Sequence, residues 1–152
     1  MNEKCAPPTV KRVACNTDPE VNEAIRNRTV GNISAYQNCS KNLLSERIKQ
    51  LGEEWDTERV LETGAAWLVA ACSVRGYRAS RCGWFLLSGA VGGFLLMHAL
   101  EGWCPPLPVI RRLGVRTAEE ISQEKMAFKL IRGDIPHNTK DAEKLLGYLE
   151  KQ

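Results

Sequence analysis

Residues 82–100 read CGWFLLSGAVGGFLLMHAL and carry no Asp, Glu, Lys or Arg, in a chain of which 26% is charged. Whether these nineteen residues cross a bilayer or pack inside a protein decides the fold. As a helix rising 1.5 Å per residue the run is about 28 Å long, close to the roughly 30 Å of a hydrocarbon core. Gly83, Gly89, Gly92 and Gly93 fall within it, and each costs roughly 1 kcal/mol relative to Ala in an aqueous helix interior. The run is therefore a poor soluble helix. In lipid the same residues are useful: Gly89 and Gly93 lie four apart with Gly92 beside them, which lets a second helix approach closely. Trp84 and Trp103 flank the run as amphipathic rings do at a headgroup boundary. The competing reading is a soluble hairpin buried at a subunit interface.

Upstream, residues 64–74 form a second apolar run, too short to span alone, preceded by Glu58, Arg59 and Glu62. Residues 75–81 then supply a connector with three arginines, Arg75, Arg78 and Arg81. The long run closes at Glu101-Gly102-Trp103-Cys104-Pro105-Pro106-Leu107-Pro108, where the prolines forbid a continuing helix. The pattern predicts an all-α chain: a hydrophobic helical hairpin over residues 56–114, with amphipathic helical extensions over 1–55 and 115–152.

The extensions carry ordinary helix signals. Thr17-Asp18-Pro19-Glu20 offers a capping box with Pro in the first turn, followed by Val21, Ile25, Ile33 and Tyr36 near helical spacing. Leu44, Ile48, Leu51 and Trp55 make one stripe of a second helix. Thr117-Ala118-Glu119-Glu120 is another capping box, leading through Ile121, Phe128 and Ile131 to a stop at Gly133. After a turn at residues 134–137, Ala142, Leu145, Leu146 and Leu149 form a final stripe, suited to intramolecular packing or to a membrane surface.

Composition removes several function classes. A mean hydropathy of −0.30 over 152 residues excludes a polytopic transporter. The net charge of +3 is small and its cations are interleaved with acids, so nucleic acid is not an expected partner. MNEKCAPPTVKR lacks the apolar region of a secretory signal, so the six cysteines are expected as thiols. No Cys-x-x-Cys pair, phosphate loop or Ser/His/Asp set occurs.

The stretch ALEGWCPPLPVIRRLGVRT resembles the YgaP-like transmembrane hairpins, small bacterial inner-membrane domains. Gly102, Cys104 and Pro105 match their Gly-x-Cys-Pro step, and Leu113, Gly114 and Thr117 match their Leu-Gly-x-x-Thr signature. Residues 54–62 look like the charged lead-in of longer members, and the likeness covers about residues 56–117. It implies a self-associating hairpin in the cytoplasmic membrane with both termini in the cytoplasm, and no reaction. Some relatives carry a rhodanese-type sulfur-transferase domain, which this chain lacks.

Two chemical readings remain beside a non-enzymatic one. Cys104, at a helix end near Arg111 and Arg112, is a candidate thiol site with a lowered pKa, accessible at the membrane boundary. His98, Glu101 and Cys104 fall three residues apart, a weak metal-ligand pattern, and neither a metal nor another cofactor is expected. The leading expectation is a membrane-associated accessory protein, not an enzyme, that assembles with itself or within a membrane complex, with the bilayer as a partner. A cytoplasmic binding module and a thiol- or sulfur-handling protein are the alternatives.

Overall fold

The computed structural model describes residues 9–134, which are about 81% helical and contain no strand. The chain is all-α. After a 3-10 turn at Thr9–Lys11, seven helices follow among the described residues: α1 Arg12–Cys15, α2 Pro19–Tyr36, α3 Lys41–Glu53, α4 Thr57–Ala79, α5 Cys82–Glu101, α6 Leu107–Arg112 and α7 Ala118–Arg132. The expected turn at Ile135-Pro136-His137 and the stripe over residues 142–149 lie outside the described residues.

Two compact units form. One joins the described residues up to Arg28 to Trp55–Ile121; the other joins Thr29–Glu54 to the described residues from Ser122 on. The N-terminal region is divided because Val13 packs in one core cluster with Leu61, Cys104 and Leu107.

In the first unit α4 and α5 lie side by side and antiparallel. Ser73 faces Ser88 at 3.4 Å near one end and His98 meets Glu58 at 3.0 Å at the other. They pack tightly at Gly76, where an added Cβ would stand 2.9 Å from the Phe85 ring and 3.1 Å from the Trp84 Cβ. Asp56 caps α4 by accepting from the Arg59 N–H at 2.8 Å. The helix continues to Ala79, so Arg75 and Arg78 occupy its last turns and not a loop. Arg, Tyr and Ala are adequate helix formers, and the stop comes only at Ser80, in the left-handed conformation with φ 48°. α5 ends at Gly102, φ 75°, whose N–H bonds back to His98 O at 2.8 Å. α6 restarts with Pro106 as cap and Pro108 in the first turn, where a missing N–H breaks no helical bond.

The two expected capping boxes fare differently. At α7 the Thr117 N–H donates to Glu120 Oε2 at 2.8 Å and the Glu120 N–H donates to Thr117 Oγ1 at 3.3 Å, the reciprocal pair expected. At α2 it is Asp18 that accepts from the Glu20 N–H, at 3.1 Å, while Thr17 donates to Val13 O. The Thr17 hydroxyl also accepts from Arg111 Nε, so it serves the core and not the cap.

The second unit is held by Leu44 and Leu51, both buried, and by Phe128 set edge-on to Tyr36 with ring centroids 5.6 Å apart. Trp55 does not extend the α3 stripe. The helix stops at Glu53, Glu54 is extended, and Trp55 is exposed under the Arg59 guanidinium, 4.4 Å from its ring centre. Glu124 is fully buried and pairs with Arg47 at 3.1 Å. Gly133 ends α7 at φ 84°, and Arg132 clamps Asp134 beyond it, which holds the Asp134 carboxyl below its ordinary range.

Candidate functional site

The first unit has two parts, a polar base and the α4–α5 pair standing on it. At the base, α1 grips the C-terminal end of α5. Arg12 Nη1 donates to Ala99 O at 2.6 Å, and Asn16 Nδ2 donates to Glu101 O at 2.8 Å. A helix leaves its last carbonyls without intrahelical partners, and these side chains supply them. Gly102 makes the grip possible: a Cβ there would stand 2.6 Å from Arg12 Cγ and 2.9 Å from Arg12 backbone carbon. Its positive φ and this close approach both require glycine.

His98, buried on the inner side of α5, donates from Nε2 to Glu58 of α4, and Arg12 lies 3.8 Å from the same carboxylate. Deeper in the base Arg111 is fully buried. It donates to both oxygens of Glu120 at 2.8 and 2.7 Å, to Asn22 Oδ1 at 2.9 Å, to Thr17 Oγ1 at 3.2 Å and to Val115 O at 3.0 Å. Burial alone would push the Glu120 carboxyl up, but the hydrogen bonds from Arg111 and Thr117 outweigh it and hold the group low. Thr57 completes the base, with N–H and hydroxyl both donating to Arg116 O at 2.9 and 3.0 Å.

Cys104 does not have the accessibility expected of it. Cys104 is 3% exposed, packed with Val13, Leu61 and Leu107, and not accessible. Its thiol is pushed up and not down: desolvation dominates, the Leu107 N–H opposes it, and the Glu58 charge adds to it. Arg111, expected to lower it, is committed to Glu120. His98, Glu101 and Cys104 do not converge either. His98 turns to Glu58, Glu101 is exposed, and no three His, Cys, Asp or Glu side chains among the described residues gather in a metal-binding arrangement.

Other signature residues do conformational work. Gly114 has φ 81°, Thr117 caps α7, and Pro105 sits in the turn lining an apolar groove of about 310 Å³ with Leu61, Gly64, Leu68, Val91 and Phe94. Leu113 is exposed.

Above the base the surface changes character. α5 is the one helix among the described residues long and apolar enough to cross a membrane, and 6% of that stretch is buried within the chain. Leu86 is 75% exposed, Leu100 74% and Trp67 69%. A Cβ added at Gly89, Gly92 or Gly93 would meet nothing within 4 Å. These glycines therefore do not pack α5 on α4, a role that falls to Gly76.

No family model, curated protein or solved structure matches this chain. What the arrangement offers is a large exposed apolar surface beside a polar base.

Local patterns did not reveal the base. Arg12, Asn16, Glu58 and Arg111 each bond to a partner 40 to 94 positions away, beyond the reach of any local pattern. The fully buried Arg111 had one available signal, an acid of the downstream capping box.

Proposed function

We propose that this protein is a membrane-associated helical accessory protein whose α4–α5 hairpin enters the bilayer while the base stays at its surface. The observation that carries the reading is the exposure of α5. A soluble core helix of this length and composition would be mostly buried, whereas α5 turns Phe85, Leu86, Leu87, Phe94, Leu96 and Leu100 outward. The apolar stretch of α4, residues 64–74, is about 16 Å long. It is shorter than the bilayer, so the flanking arginines reach for headgroups.

The proposed setting is the cytoplasmic membrane of a bacterium, with both termini in the cytoplasm, as the resemblance to the YgaP-like hairpins implies. Gly102, Cys104, Gly114 and Thr117, on which the resemblance rests, each have a conformational or packing task in the base. The open face at Gly89, Gly92 and Gly93 supports assembly with a second copy or a larger membrane complex, because an unfilled glycine face admits another helix closely. No reaction is part of the proposal.

Ala90→Arg tests it. Ala90 is exposed near the middle of α5, so the change disturbs no packing within the chain. An arginine at mid-bilayer costs about 3 kcal/mol on insertion scales, and the variant should leave the membrane pellet on alkaline carbonate extraction or fail to accumulate. A native protein released by carbonate, with an Ala90→Arg variant that is merely more soluble, would sink the membrane reading and favour the soluble module.

A further inference from the structure

From Thr63 to Leu100 the chain holds no acidic residue, and its only Lys or Arg side chains are Arg75, Arg78 and Arg81. All three are exposed and gather where α4 passes into α5. Neighbouring groups add to their field. α5 begins there with no acid in its first turn and no side-chain cap from Arg81, so no side chain of that turn offsets the positive end of the helix dipole. Arg75 lies 5.3 Å from the centre of the Trp84 ring, which fixes its height.

Below the arginines a shallow cleft of about 600 Å³ runs along one face of α4. Trp67, Ala70, Ala71, Val74, Arg75 and Arg78 line it. These positions fall at i, i+3, i+4, i+7, i+8 and i+11, a single helical stripe that is apolar for its first four members and cationic for its last two. From Trp67 to Arg78 the stripe rises about 16 Å, near half of a roughly 30 Å hydrocarbon core.

Resting on the membrane reading above, we propose that this end of the hairpin is a binding site for an anionic phospholipid. Its phosphate sits among Arg75, Arg78, Arg81 and the start of α5, and one acyl chain lies on Val74, Ala71, Ala70 and Trp67. The occupant is a lipid and not a free phosphate, because the apolar two thirds of the stripe has no use for a soluble anion. Arginine forks suit a phosphate's oxygens, and the exposed indole of Trp67 gives an acyl chain a flat surface to lie against.

The test uses the full chain carrying Trp55→Phe and Trp103→Phe, so that Trp67 and Trp84 report. It is reconstituted from mild detergent into phosphatidylcholine vesicles with or without phosphatidylglycerol, and either lipid is supplied brominated on its acyl chains. Brominated phosphatidylglycerol should quench in preference to brominated phosphatidylcholine, by about fivefold for each arginine engaged. Arg75→Gln, Arg78→Gln and Arg81→Gln together should bring the ratio close to one, and Arg112→Gln, an exposed charge on α6, should leave it unchanged.

Equal quenching by the two lipids in the unsubstituted protein overturns the lipid site and leaves the membrane reading intact. Equal loss of preference in Arg112→Gln also overturns the site, since net charge would then explain the effect. Quenching by neither lipid overturns the membrane reading itself, and the site with it.

Discussion

Arg111 and Leu86 belong to one compact unit, yet the guanidinium is fully buried and the leucine is 75% exposed. The inversion is general. In the base, Arg111, Arg116, Thr57 and His98 are buried, while along the hairpin Phe85, Leu87, Phe94, Leu96 and Trp67 face out. Water drives the opposite sorting. The base answers the Arg111 guanidinium with Glu120, Asn22, Thr17 and Val115, and His98 with Glu58. The hairpin leaves its apolar surface for something else to cover. The comparison teaches that one folded unit can be finished at one end and unfinished at the other, and that the unfinished end is where function is to be sought.

The largest expected effect lies in the base. Glu120→Gln removes the carboxylate that pairs with the buried Arg111 guanidinium and leaves it the neutral Thr17, Asn22 and Val115 oxygens among its described partners. Breaking such a pair from one side costs about 3 kcal/mol. Denaturant unfolding in mild detergent should show this loss; a cost below about 1 kcal/mol would mean that the base is not organised around the pair. Acid provides a second readout. Glu120 has a folded-state pKa below its ordinary value of 4.5, so the folded state holds the proton less tightly than the unfolded state. The stability it contributes is complete above pH 4.5 and is lost as pH falls through the depressed value. The Glu120→Gln variant should lack that part of the acid limb in a pH series of melting temperatures.

A smaller effect separates two kinds of glycine. Gly76→Leu places atoms against Phe85 and Trp84, an overpacking that costs about 1–3 kcal/mol. Gly93→Leu meets open space and should leave unfolding of the single chain unchanged, while weakening any oligomer captured by cross-linking in detergent. Equal destabilisation by both would break the distinction between a face that packs α5 on α4 and one left for a partner.

What could be read along the chain was what local chemistry encodes. The uncharged run became α5, Leu44 and Leu51 became the buried stripe of α3, Thr117 and Glu120 made their reciprocal cap, and Gly133 ended α7. Each depends on residues within a few turns of one another. The base was not legible, because its pairs join residues such as Asn16 with Glu101 and Asn22 with Arg111, and no periodicity carries that information. Cys104 shows the same limit from the other side. Its neighbours in sequence include two arginines, which suggest an activated thiol, but its neighbours in space are Val13, Leu61 and Leu107. Burial decides its chemistry, and sequence distance concealed the burial.

The smallest perturbation is thiol labelling, which leaves the fold untouched and reads the comparison directly. Cys15 is exposed at the base and Cys82 at the far end of the hairpin, while Cys72 and Cys104 are buried. Single-cysteine variants should therefore divide into two fast and two slow reactors with an impermeant maleimide in detergent. Cys104 should react at the fast rate only after denaturation, since both its burial and its raised pKa keep thiolate scarce. In sealed vesicles the fast pair becomes the topology probe. If the hairpin spans, Cys15 and Cys82 lie on opposite sides and each is labelled from one side alone. With termini cytoplasmic, Cys15 reacts in inverted vesicles and Cys82 in intact cells. Labelling of both from the same side would contradict a spanning hairpin and leave one that lies in the interface, its apolar face turned down and its arginines still level with the headgroups.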